Sequence, residues 1–216
     1  MKHFDFTDVQ LPPLQKGSHR SPKAGLCAME MIAFMERLPH SDAPACTCPV
    51  IAAYVRVLND EMPDRLRPRL LPYLSPLVGS VAPDYEVGRA QFFASVAREF
   101  AAAATTYADA AAADAAGYAA YAAAYAADAT TYADAARAAR AYAVAAAARA
   151  ADAARAARAA AARAARADAR GAAYTVGVDA IWQRALDAID GALAIGPEPK
   201  GFTDVTRAAD LAELCK

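Results

Sequence analysis

Glycine and cysteine are scarce in this chain, ten and four among 216 residues. So little glycine excludes a collagen-like protein, and so few cysteines exclude a disulfide-built scaffold. Net charge is nearly absent at -1, while 57% of residues are apolar, which excludes a wholly disordered chain. Long hydrophobic runs are missing too. The longest uncharged stretch of the alanine-rich region, 115–127, includes Gly117 and three tyrosines and falls short of the roughly 20 residues that cross a bilayer. Met1-Lys2 is followed by His3, Asp5 and Asp8 rather than by the apolar core of a signal peptide, so the expectation is a cytoplasmic protein with reduced thiols and no membrane partner. Gly17, Gly25, Gly79 and Gly88 are too scattered for a phosphate-cradling loop, and the HExxH, GxSxG and paired-carboxylate signatures do not occur. The sequence speaks of architecture more than of chemistry.

Alanine is what the chain has in abundance, filling 44 of the 70 positions between 101 and 170. Alanine is the strongest helix former, and this region holds no proline and only Gly117. One helix of that length would measure about 105 Å. A globule of this size is only about 45 Å across, so the helix is expected to protrude. Its charges are segregated. Residues 101–136 carry Asp109, Asp114, Asp128 and Asp134 with no cation, net -4. Residues 137–170 carry Arg137, Arg140, Arg149, Arg155, Arg158, Arg163, Arg166 and Arg170 against Asp152 and Asp168, net +6. The motif ATTYADA occurs at 104–110 and again at 129–135. At helical spacing Tyr107, Tyr118, Tyr121, Tyr125 and Tyr132 share a stripe about 60° wide.

Two such tracts laid antiparallel would match acid to base in both directions about a two-fold axis. A homodimer, or pairing with another helical partner, is therefore expected, its surface formed by the five tyrosines with Arg137, Arg140, Arg155 and Arg158. A hairpin within one chain is the plainer arrangement. The arginine stripe offers a different use, salt-dependent binding of nucleic acid phosphates. Against that reading stand the lack of lysine in the stripe, its two aspartates and the neutral whole.

The remaining sequence predicts an all-α protein. Residues 1–20 read as an extended arm, since Pro12-Pro13 and Gly17 oppose a helix. Residues 21–100 read as a compact helical head. Ser21-Pro22 would start its first helix, about 22–38, and Cys48-Pro49 a second through Leu58. Prolines 63, 68, 72 and 76 punctuate short segments, and Pro83-Asp84 begins another helix. Leu66, Leu70, Leu71, Leu74, Leu77, Val78, Phe92, Phe93, Val96 and Phe100 are expected in the core. Residues 101–170 form the long alanine-rich helix, and 171–216 the C-terminal helices. A break is expected at Gly171 and Gly177. Beyond it Val178, Ile181, Trp182, Ala185, Leu186, Ile189 and Leu193 make an amphipathic stripe that docks back or onto a partner. Thr203 would cap a last helix, 204–214.

The head concentrates the reactive side chains. Cys27 and Glu30 share a helix face, and Cys46 and Cys48 sit where the positive end of a helix would lower a thiol pKa. Cys27, His40, Cys46 and Cys48 would supply a Cys3His set for zinc, with Glu30 and Asp42 as polar partners and His19 nearby. The spacing is not that of a standard zinc knuckle. Further along the same region run Gly17-Ser18-His19-Arg20-Ser21-Pro22, Gly25-Leu26-Cys27-Ala28-Met29-Glu30, His40-Ser41-Asp42-Ala43-Pro44-Ala45-Cys46, Pro49-Val50-Ile51 and Leu58-Asn59-Asp60. This combination resembles an uncharacterised family of bacterial and bacteriophage proteins over about residues 17–80. The resemblance implies a recurring head module in which Cys27, Glu30, His40, Asp42 and Cys46 belong together. It implies no activity. The leading expectation is thus a non-enzymatic oligomerisation or interaction scaffold. The alternatives are a metal- or thiol-dependent enzyme sited in the head and an arginine-stripe nucleic-acid binder.

Overall fold

Proline decides where most of the helices begin. The computed structural model of the protein describes residues 11–104, 171–202, 207, 210 and 211. Among these, every regular element is helical: α1 (Ala28–Met35), α2 (Pro49–Glu61), a 3-10 turn (Arg67–Leu70), α3 (Leu71–Leu77), α4 (Pro83–Ala104) and α5 (Gly171–Leu193). Pro49 and Pro83 open α2 and α4, and prolines lie in the first turns of the 3-10 segment and α3. At these positions a missing N–H costs nothing and the fixed φ suits the helix.

The centre of the head is α2, packed against α1, α4 and α5. Val50 through Val55 are all buried, so apolar side chains surround this helix on every side. Tyr54 is fully enclosed. Its ring lies 4.3 Å from that of Phe93 on α4, and its hydroxyl donates to the Ala185 carbonyl of α5 at 2.8 Å. The whole stripe expected of residues 178–193 is buried, Trp182 included. Leu66, Leu70, Leu74, Leu77, Val78, Phe93, Val96 and Phe100 are also in the core, with Leu71 and Phe92 packed at its edge.

Two expectations about boundaries are corrected. The first helix starts at Ala28 rather than near residue 22. Ser21 instead closes a turn, its carbonyl accepting from Ala24 N–H at 2.9 Å, and Gly25 takes a left-handed φ of +139° that no helix contains. Residues 11–20 form no helix or strand and are packed on the head, with Leu14 buried and Gln15 N–H donating to the Leu26 carbonyl at 2.8 Å. Nor does Gly177 break the chain, since it lies inside α5; Gly171 is the first described residue of that helix, and the chain before it lies outside the described residues. A glycine costs an internal helical position about 1 kcal/mol, less than the packing of the following turns returns. The last helix is described only at Arg207, Asp210 and Leu211. There the backbone is helical, Leu211 is buried and Arg207 lies over the Phe34 ring at 4.4 Å. The Thr203 cap and the expected rod beyond residue 104 lie outside the described residues.

The helices that flank the alanine-rich tract run in opposite directions. Gly88 of α4 faces Ile195 just past α5, Gly191 meets the Phe92 ring, and the Arg184 guanidinium lies 5.3 Å from the Phe100 ring. Each step forward along α4 is a step back along α5. Arg89, wholly buried, ties the far end: its Nε donates to the Ile195 carbonyl at 2.9 Å and its Nη1 to the Ser80 carbonyl at 2.6 Å.

Candidate functional site

The N-terminus of α1 leaves backbone N–H groups with no partner inside the helix, as every helix start does. Three residues meet that demand. Cys27 is the N-cap, and its sulfur accepts from Glu30 N–H at 3.5 Å. Glu30, in the third helical position, reaches back so that its Oε2 accepts from Cys27 N–H at 2.8 Å. This is the reciprocal arrangement of a capping box, with a thiol in place of the usual hydroxyl. Asn59, at the far end of α2, completes the set: its Oδ1 accepts from Ala28 N–H at 3.1 Å.

The same residues strap the 11–27 segment to the helices. Asn59 Nδ2 donates to the Gln15 carbonyl at 2.8 Å and to Asp60 Oδ1 at 3.0 Å, and that oxygen also accepts from Gly17 N–H at 2.8 Å. Arg67, buried, caps the end of α2 by donating to the Asn59 carbonyl at 2.6 Å and the Met62 carbonyl at 2.9 Å.

Glu30 is the hub of this network and is only 1% exposed. Besides Cys27 it accepts from His19 N–H at 2.5 Å and pairs with His19 Nδ1 at 2.7 Å. His40 Nε2 lies 3.5 Å from its other oxygen and 2.8 Å from the His19 carbonyl. Burial alone would raise the Glu30 pKa. The backbone N–H groups of His19 and Cys27, with the His19 ring, outweigh it and hold the carboxyl below its ordinary value. Gly25 is required beside this pair, since a Cβ there would sit 2.6 Å from His19 Cδ2.

The sequence candidates therefore separate into two places. Glu30, Cys27 and His40 come together at the start of α1, joined by His19. Cys48 lies elsewhere, fully buried at the N-cap of α2, where its sulfur caps nothing and its N–H donates to Ser80 Oγ at 2.8 Å. Cys46, half-buried, offers its carbonyl to Gly79 N–H at 2.8 Å. Asp42 contributes a carbonyl, which accepts from Arg56 at 3.0 Å. Among the described residues no three His, Cys, Asp or Glu side chains form a metal-holding group, so Cys27, His40, Cys46 and Cys48 are not gathered as the Cys3His set would be. Tyr107, Tyr118, Tyr121, Tyr125, Tyr132, Arg137, Arg140, Arg155 and Arg158 lie outside the described residues.

The expected activation is corrected for Cys46, and Cys27 is raised as well. Burial pushes the Cys27 thiol up to about 12, with the neighbouring Glu30 charge adding to it. Burial, then the charge of Glu36, takes Cys46 to about 11. A thiol with such a pKa is almost wholly protonated at neutral pH and is a poor nucleophile. Native Cys27 and Cys46 are accordingly expected to resist iodoacetamide at pH 7.5, with alkylation accelerating at least tenfold in urea. Peptide mass spectrometry reads the rate at each position, and equal rates in buffer and urea would contradict the burial argument.

Asn59, Asp60, Arg67 and Arg89 were not singled out as structural residues from sequence. The spacing Cys27-x-x-Glu30 did carry a signal, since it is the spacing of a capping box. Compared with known proteins, the chain matches no family model, no curated protein and no solved structure. Among the described residues no helix is long and apolar enough to cross a membrane.

Proposed function

We propose that the protein is a non-enzymatic helical scaffold whose alanine-rich tract pairs antiparallel, with the head serving as the anchor at its end. The observation that carries this reading is the antiparallel packing of α4 against α5, the two helices that flank the tract. Continued outward, that register would set Asp128 opposite Arg155 and Asp134 opposite Arg149, matching the -4 half to the +6 half. Exposed ion pairs are individually weak, and charge would here set direction and register more than affinity. The head adds a second line of support. Its carboxylate hub is occupied in holding backbone N–H groups and two imidazoles, and the Cys27 and Cys46 thiols are held protonated.

Size-exclusion chromatography with light scattering on the full chain tests the proposal. Two copies of the 22.5 kDa chain are expected in one elongated particle at low salt. At about 1 M salt, where screening acts within about 3 Å, a larger share of monomer is expected. A compact monomer at both salts would overturn the reading.

A further inference from the structure

We infer that the partner in this pairing is a second copy of the chain and that the two copies exchange α5, each head being completed by the other chain's helix. The inference rests on the antiparallel scaffold proposed above and adds which chain supplies the returning helix. Helix α5 is an integral wall of the head, contributing Ile181, Trp182, Leu186 and Ile189 to the core. Its covalent link to α4 is the tract alone. Both α4 and α5 leave the head on the same side, because Ala104 lies four residues beyond the Phe100–Arg184 contact and Gly171 thirteen residues before it.

For α5 to close onto its own head, the 66 intervening residues must reverse direction. The α4–α5 register puts that reversal at residues 141–142, within Ala-Tyr-Ala-Val-Ala-Ala-Ala-Ala. Nothing there favours a turn. Glycine, proline, asparagine, aspartate and serine are all absent, and alanine is the residue least inclined to leave a helix. Gly117 and Thr130-Thr131 are the weakest points of the tract, and both lie away from the midpoint.

Exchange removes the need to reverse. A straight helix across 105–170 spans about 99 Å, carrying α5 away from its own head and toward the far end of a reversed copy. There it meets an α4 running the opposite way, in the orientation that α4 and α5 already have. The contacts of the head are the same in both arrangements, so exchange removes the turn without sacrificing any of that packing. The two-fold axis closes the assembly at two chains.

A disulfide across the α4–α5 contact distinguishes the arrangements. A Cβ at Gly88 would lie 3.3 Å from Ile195 Cγ2, an atom one bond from Ile195 Cβ, so the two Cβ atoms come within the neighbourhood of about 3.5–4.5 Å that a disulfide requires. The Gly88→Cys/Ile195→Cys variant also carries Cys215→Ser, which removes the fourth cysteine of the sequence; it is oxidised, sized by light scattering and then denatured without reductant. Exchange predicts a dimer in solution that stays a covalent dimer when denatured. A dimer that separates into internally linked single chains overturns exchange and leaves the antiparallel scaffold standing. A monomer in solution overturns both. A second variant avoids the cysteines by inserting Gly-Asn-Gly-Ser-Gly between Ala141 and Tyr142, which supplies the missing turn. Halving of the particle mass supports exchange, and persistence of the dimer overturns it.

Discussion

Replacing Glu30 by alanine is expected to remove about 4 kcal/mol of head stability and to lower Tm by about 10 °C, measured by circular dichroism. The loss comes from what the carboxylate holds. Its removal leaves the N–H groups of His19 and Cys27 and the His19 ring without an acceptor, and each buried orphan costs about 1–3 kcal/mol. In a chain of this size each kcal/mol moves Tm by about 2–4 °C.

The loss also has a pH signature. The native Glu30 carboxyl titrates below its unfolded counterpart. Its contribution is therefore fully present above the unfolded pKa and disappears as pH falls through the native one. The stability difference between the natural chain and Glu30→Ala is expected to shrink steadily in acid. Glu30→Gln keeps the volume and one acceptor, so it should lose less stability while also flattening the acid slope. A Glu30→Ala variant as stable as the natural chain at pH 7 would remove Glu30 from the centre of the network.

This network illustrates where sequence reading succeeded and where it stopped. Helix starts at Pro49 and Pro83 were legible because proline tolerates so few backbone positions. The α5 stripe was legible because large apolar residues recur at helical spacing through a charged background. The start of α1 was misplaced because Ser21-Pro22 carries the same local signal as a true N-terminus. What decides against it is non-local, since Asp60 reaches back 43 residues to Gly17 and Asn59 31 residues to Ala28. Cys27 and Glu30 were seen as neighbours, but a thiol beside a carboxylate suggests metal chemistry before it suggests a helix cap. Of the five residues grouped by the resemblance, Cys27, Glu30 and His40 meet at the start of α1, with Gly17, His19, Gly25, Asn59 and Asp60 around them, whereas Asp42 and Cys46 bond elsewhere. The bonds at the start of α1 make a structural clasp, built on backbone donors that need partners.

The second large effect lies at the other side of the head. Trp182→Ala is expected to destabilise the fold by about 3–5 kcal/mol, the usual cost of removing a fully buried aromatic side chain. Trp182 belongs to one continuous apolar cluster with Tyr54, Leu58 and Phe93, so the loss falls on the docking of α5 against the central helices. The polar contacts of α5 cannot compensate. Arg65 and Arg69 grip Asp179 at 2.7 and 2.9 Å, yet such exposed pairs contribute about 0–1 kcal/mol. Asp179→Ala should therefore cost no more than about 1 kcal/mol, and the two variants together separate burial from ion pairing as the force that holds α5. Limited proteolysis reads the outcome directly, with cleavage within 171–193 expected to accelerate in Trp182→Ala and to change little in Asp179→Ala. The reverse ranking would mean that the ion pairs, rather than the buried indole, keep this helix in place.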